Sequence, residues 1–181
     1  MGEIINEKRP VFSTDADIRV SASPAEVYAV VSDLPRSFEW SPECLGGEWV
    51  SGEPSAVGSV FRGDNLRAED VVGWAPVVRG RWQTHSEVVA AEPGRTFRWA
   101  MCDSQGQKQE SVWGFDVEPA GDGGSLLTHH FRMDAPTEGI RGITAEMDEA
   151  AKGRFFAEWG DKISADLAVT LRRIKAVVEQ G

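Results

Sequence analysis

Histidines, hydroxyls and arginines carry the chemistry open to this sequence. Its three histidines are His85, His129 and His130. Adjacent residues of a strand point to opposite faces, so His129 and His130 cannot grip one metal ion together. With no cysteine pair at metal spacing, no metal site is expected. His129 is the natural proton-transfer residue, because an imidazole titrates near neutral pH. The alternative is a core histidine satisfied by a neighbouring hydroxyl or water. Thr84 and Ser86 share one face of a strand and are suited to orienting a ligand carbonyl, and Tyr28 joins them if its helix turns it inward. The hydroxyls can equally satisfy each other within a sheet. Arg62, Arg67 and Arg98 are the cations for an anionic head group, but Arg62 and Arg98 fall on the outward parity and Arg67 falls in an expected loop over residues 66–76. No Gly-x-Ser-x-Gly, P-loop or dinucleotide glycine fingerprint occurs, which sets nucleotide chemistry aside and implies no cofactor.

These residues need elements to hold them. The dominant one is a helix over residues 154–178, where Phe156, Trp159, Ile163, Leu167, Leu171, Ile174 and Val178 recur at steps of three or four and form one apolar stripe. Near the other end, Ser23-Pro24-Ala25-Glu26 is a capping box that opens a short helix through Val27, Val30 and Val31. A second helical turn is expected over 36–40. Strands are expected at 11–20, 45–51, 58–65, 77–91, 95–102, 110–118 and 125–134, separated by turn residues such as Pro93-Gly94 and Gly123-Gly124. Residues 137–142 read as a linker. Short connections make sequential strands antiparallel. By period two, Trp82, Thr84, Ser86 and Val88 share a face, as do Phe97, Trp99 and Met101, then Ser111, Trp113 and Phe115, then Leu127, His129 and Phe131. If all face the long helix, they enclose a space lined by Trp82, Trp99, Trp113, His129, Phe156 and Trp159. That space is either a packed aromatic core or a hollow.

Size and charge narrow the function. A chain of 181 residues is expected to form one domain, 1–181, burying roughly 70% of the surface its unfolded form exposes. Its 29 acidic and 19 basic residues give a formal charge of −10, which repels nucleic acid and anionic lipid. The opening residues have no apolar signal core and no run reaches 18 apolar residues, so the expected location is cytoplasmic, without stable membrane insertion. Cys44 and Cys102 are expected to be reduced thiols.

The order of elements, together with Ser21-Ala22-Ser23-Pro24-Ala25-Glu26-Val27-Tyr28 and Val31-Ser32-Asp33, resembles the opening of the START-related (SRPBCC) superfamily that includes plant pollen-allergen-like proteins. Gly58-Ser59-Val60-Phe61-Arg62-Gly63, Arg81-Trp82-Gln83-Thr84 and Glu92-Pro93-Gly94-Arg95-Thr96-Phe97 continue the likeness, which is similar to the bacterial polyketide cyclase/dehydrase-type branch and covers residues 14–178. The resemblance implies an α+β helix-grip fold: a curved seven-stranded antiparallel sheet around a long C-terminal helix, with two short helices between strands 1 and 2. It also implies a deep apolar cavity for a hydrophobic small molecule such as a lipid, polyketide or isoprenoid. Tyr28, Trp82, Thr84, Ser86, Trp99, Trp113, His129, Phe156, Trp159 and Ile163 would then line the binding site. Aromatase/cyclase members use an inward arginine on the long strand, where this sequence reads Trp, Thr, Ser, Val. The first expectation is therefore a binding or transport protein, monomeric or homodimeric. The alternative is a polyketide cyclase or dehydratase using His129 with Thr84 and Ser86. A third reading, a protein-interaction module, needs an apolar outer face, whereas Gln83, His85, Glu87, Glu110 and Asp116 make that face polar.

Overall fold

The computed structural model describes residues 9–67 and 80–181. Seven strands form one antiparallel sheet: β1 (Phe12–Val20), β2 (Cys44–Ser51), β3 (Val60–Arg67), β4 (Gly80–Glu92), β5 (Thr96–Cys102), β6 (Lys108–Pro119) and β7 (Ser125–Met133). Their order across the sheet is β1-β7-β6-β5-β4-β3-β2. Strands β2 to β7 pair with their sequence neighbours, as short turns require, and β1 closes onto β7 with Phe12 opposite Met133. A register shift between Val88 and Ala90 bulges β4 against β5, a feature that bends a sheet. Between β1 and β2 lie α1 (Pro24–Val31) and a 3-10 helix (Leu34–Glu39); after β7 come α2 (Glu138–Thr144) and α3 (Glu149–Gln180). This is the helix-grip fold that the sequence implies.

The capping box at α1 forms as expected. The Ser23 hydroxyl accepts from the Glu26 amide at 3.3 Å, and the Glu26 carboxylate accepts from the Ser23 amide at 2.9 Å, so two backbone donors at the helix start are satisfied reciprocally. Helix α3 is longer than the apolar stripe suggested. Asp148 caps it by accepting from the Ala151 amide at 2.7 Å, which places Met147 outside and adds the segment from Glu149 to the helix. Its buried face runs Phe155, Trp159, Ile163, Leu167, Thr170, Leu171 and Ile174.

Two expectations are corrected. Residues 137–142 are not a linker: Thr137 caps α2, whose Ile140 is buried, while Gly139 and Gly142 weaken the helical signal in the sequence. Strand β3 continues two residues past Asn65, because Leu66 and Arg67 pair with Arg81 and Gly80. Arg67 therefore belongs to a strand. The rest of the expected loop, 68–76, and the first residues expected in the long strand, 77–79, lie outside the described residues.

Among the described residues the core forms two clusters. One packs α1, the strands and the C-terminal half of α3 around Val27, Val31, Phe97, Phe115, Leu127 and Leu171. The other joins Phe131, Met133 and Ile140 to Phe155, Trp159 and Ile163 in the N-terminal half of α3.

Candidate functional site

The concave face of the sheet and α3 enclose a cavity of about 580 Å³. Trp82, Thr84 and Ser86 of β4, Trp99 of β5, Trp113 of β6 and His129 of β7 lie on its wall, opposite Trp159 and Ile163 of α3. The alternation along each strand is what turns these side chains inward together. Tyr28 and Phe156 do not lie on the wall. Tyr28 packs edge-on against Phe97, ring centres 6.3 Å apart, and burial with the nearby Glu92 charge raises its hydroxyl's pKa. Phe156 is displaced because consecutive helical residues sit about 100° apart. Phe155, at steps of four from Trp159 and Ile163, takes the wall position, and Phe156 packs edge-on beside it at 5.2 Å.

His129 is buried with its ring stacked on Phe115 at 4.1 Å, and Trp99 and Trp113 flank it at 6.5 and 6.0 Å. Its Nδ1 lies 2.8 Å from the Gly114 carbonyl oxygen. A carbonyl only accepts, so Nδ1 carries the proton and Nε2 is left as an acceptor. Burial pushes the imidazole pKa down to about 3, against the raising effect of that hydrogen bond and with a small lowering effect from His130. His129 is a neutral imidazole at any physiological pH.

The wall hydroxyls have partners. Thr84 Oγ1 accepts from Asn65 Nδ2 at 3.1 Å, and Ser86 Oγ donates to Met101 Sδ at 3.6 Å. On the outer face of the sheet, Arg98 and His130 both face Asp116, at 3.1 and 3.3 Å, so they take no part in the cavity. Arg62 pairs there with Glu48 at 2.9 Å. Cys44 and Cys102 are unpaired and both touch the cavity, where burial raises the Cys102 thiol pKa.

A charged group at one end of the cavity was missed by the sequence reading. Arg67 Nε and Nη2 donate to the Glu43 carboxylate at 3.1 and 3.0 Å, while the guanidinium carbon sits 4.8 Å above the Trp82 ring. Lys162 of α3 bridges Glu43 and Asp166. The available signals were the four-residue spacing of Lys162 and Asp166 on a helix and the parity of Arg67 with Phe61, Gly63 and Asn65. Taking residue 66 as the start of a loop concealed the second. Among the described residues there is no group of three or more possible metal ligands, and no helix long and apolar enough to cross a membrane.

The comparisons agree with this architecture. The polyketide-cyclase-like protein Cgl2372 of Corynebacterium glutamicum is 29% identical, with 92% of this chain and 91% of that chain covered and a TM-score of 0.57. The di-domain ARO/CYC StfQ from the steffimycin biosynthetic pathway has a TM-score of 0.62 at 15% identity; the match covers 93% of this chain and 50% of that one. The Aha1 dimer of Colwellia psychrerythraea is 16% identical, covers 93% of this chain and 96% of that chain, and has a TM-score of 0.53. The last two likenesses concern the fold alone. No curated protein sequence matches the chain. The model of the family described as polyketide cyclase / dehydrase and lipid transport matches residues 11–179, nearly the full length, and the chain belongs to that family.

Proposed function

We propose that this protein binds a hydrophobic small molecule of the lipid, polyketide or isoprenoid kind in the cavity between sheet and α3, and carries or sequesters it. The observation behind this is the hollow itself. A volume of about 580 Å³ lies within the roughly 300–1,000 Å³ range of small-molecule pockets, and its walls pair aromatic rings with a few polar groups able to fix orientation. Trp82, Thr84, Ser86, Trp99, Trp113, His129, Trp159 and Ile163 are the proposed contacts, joined by Phe155 in the place first given to Phe156.

A second reading, a cyclase or dehydratase, draws on His129, Thr84 and Ser86 sharing one wall. The chemistry of His129 favours carriage. With a pKa of about 3, His129 is not an imidazolium acid near neutral pH, its remaining proton is held on Nδ1 by the Gly114 carbonyl, and it is a weak base, whereas proton-transfer catalysts work best with a pKa near the operating pH.

Native mass spectrometry of the purified protein, before and after mixing with a lipid and polyketide extract, tests the first reading. One added mass at one-to-one stoichiometry supports it and identifies the ligand. Bare chain under both conditions counts against it. Should turnover of a bound ligand be seen, and be lost in His129→Ala with binding retained, the enzymatic reading replaces it.

A further inference from the structure

We propose that Glu43 sets the charge preference of the cavity, so that its ligand presents a neutral polar head, a hydroxyl or carbonyl, to the charged end rather than an anion. This inference rests on the binding function proposed above.

Among the described residues, four ionisable side chains meet at that end in a chain of alternating sign: Arg67, Glu43, Lys162, Asp166. They come from the end of β3, the residue before β2, and one face of α3. Their side chains are only 14%, 19%, 13% and 26% exposed, so each must be matched by a partner rather than by water. Glu43 is the hub. Its carboxylate takes three hydrogen bonds from Arg67, two of them shared by Nε, and one from Lys162, and Lys162 also reaches Asp166. Glu43, Arg67 and Asp166 all touch the cavity. The four formal charges sum to zero.

The consequence is a bias against charged ligands. An anionic head arriving beside Arg67 meets the Glu43 carboxylate already seated there, and has to displace it or bear its repulsion at low exposure. A cationic head faces Arg67 and Lys162 in the same way. A neutral hydroxyl or carbonyl can join the group without breaking an ion pair. Removing the negative charge of Glu43, while keeping its shape as glutamine, takes away the carboxylate that Arg67 and Lys162 share, and shifts the potential of that end towards positive.

Retinol and retinoate make a matched pair of probes: one carbon skeleton, a neutral or an ionised head, and both read by tryptophan quenching. At pH 8 the wild type is expected to bind retinol at least fivefold more tightly than retinoate. Glu43→Gln, and independently Asp166→Asn, are each expected to move that ratio about tenfold or more towards retinoate. Glu48→Gln changes the net charge equally, but on the outer face beside Arg62, and is expected to leave the ratio unchanged. Circular dichroism confirms that each variant is folded, and two carboxylates at separate positions guard against one variant failing. Equal binding of the two probes by the wild type, or a ratio that stays within twofold in both inner variants, overturns the inference alone. No quenching by either probe in the folded wild type overturns the binding function and this inference with it.

Discussion

An imidazole enclosed by Trp99, Trp113 and Phe115 has nowhere to place a charge, and the consequence reaches beyond ligand chemistry to stability. His129 has a folded pKa of about 3, against about 6.5 in an unfolded chain. Between these values the unfolded state binds the extra proton, so stability rises with pH across the window. The contribution is complete above pH 6.5, falls as the medium is acidified, and is gone below about 3. Going from pH 7 to pH 5 therefore removes about 2 kcal/mol through this one residue. His129→Phe keeps the ring and its stacking on Phe115 while deleting the titration, at the expense of the bond to the Gly114 carbonyl, worth about 1 kcal/mol. Urea unfolding at the two pH values is expected to show a wild-type loss about 2 kcal/mol larger than that of the variant. Equal losses would mean that His129 takes up its proton in the folded protein as readily as in the unfolded chain. His130 is unaltered in both proteins, so its own lowered pKa cancels in the comparison.

At the scale of the element, α3 shows how tightly the helix is gripped. A Cβ on Gly160 would stand 2.7 Å from Cε2 of Phe12, whose ring is itself held against Trp159 at 5.2 Å and Phe131 at 6.1 Å. The glycine lets the helix approach β1 closely, and a methyl there can be admitted only by shifting the Phe12 ring off its contacts with Trp159 and Phe131. A Cβ on Gly153, one turn after the helix start, meets nothing within 4 Å. Alanine gains roughly 1 kcal/mol over glycine inside a helix. Gly153→Ala is therefore expected to raise the melting temperature by about 2–4 °C, whereas Gly160→Ala loses that gain to the clash and melts below the wild type. The same elements mark the limit of what the sequence could show. Strand parity placed Trp82, Thr84, Ser86, Trp99, Trp113 and His129 on one wall because period two is rigid along a strand. Helix phase was less certain: Phe155 and Phe156 both fit an apolar stripe, and only the fixed rotation from Trp159 separates them. Helix α2 escaped notice because two of its seven residues are glycines. The cluster around Glu43 escaped because Glu43, Arg67, Lys162 and Asp166 come from three distant segments, and no local pattern shows that a sheet edge will fold onto a helix. A hollow was also beyond local pattern, since the same aromatic residues fill a core or line a cavity according to how far the sheet curves.

At the scale of the whole molecule, the fold holds its two clusters apart around a space that a tighter chain would have filled. Core atoms facing a void lose their dispersion contacts, so an empty cavity leaves stability unrealised that a ligand or a larger side chain can recover. Ser86 on β4 and Ser111 on β6 are 4% and 2% exposed and both touch the cavity. Replacing both by leucine puts apolar volume into existing space, without the overpacking penalty that a filled core imposes. The double variant Ser86→Leu/Ser111→Leu is expected to melt at or a few degrees above the ligand-free wild type and to bind retinol at least tenfold more weakly. A ligand present at 100 times its dissociation constant stabilises the folded state by about 2.7 kcal/mol, so the wild type is expected to gain roughly 5–11 °C under that condition. In the double variant at the same ligand concentration, about half of that gain or more should vanish. The two effects have opposite signs, and a variant that had merely misfolded would lose both its melting temperature and its binding. A variant as stable as expected that still shows the full ligand-induced gain would place the ligand on the outer surface, and the space between sheet and helix would then be a packing defect rather than a site.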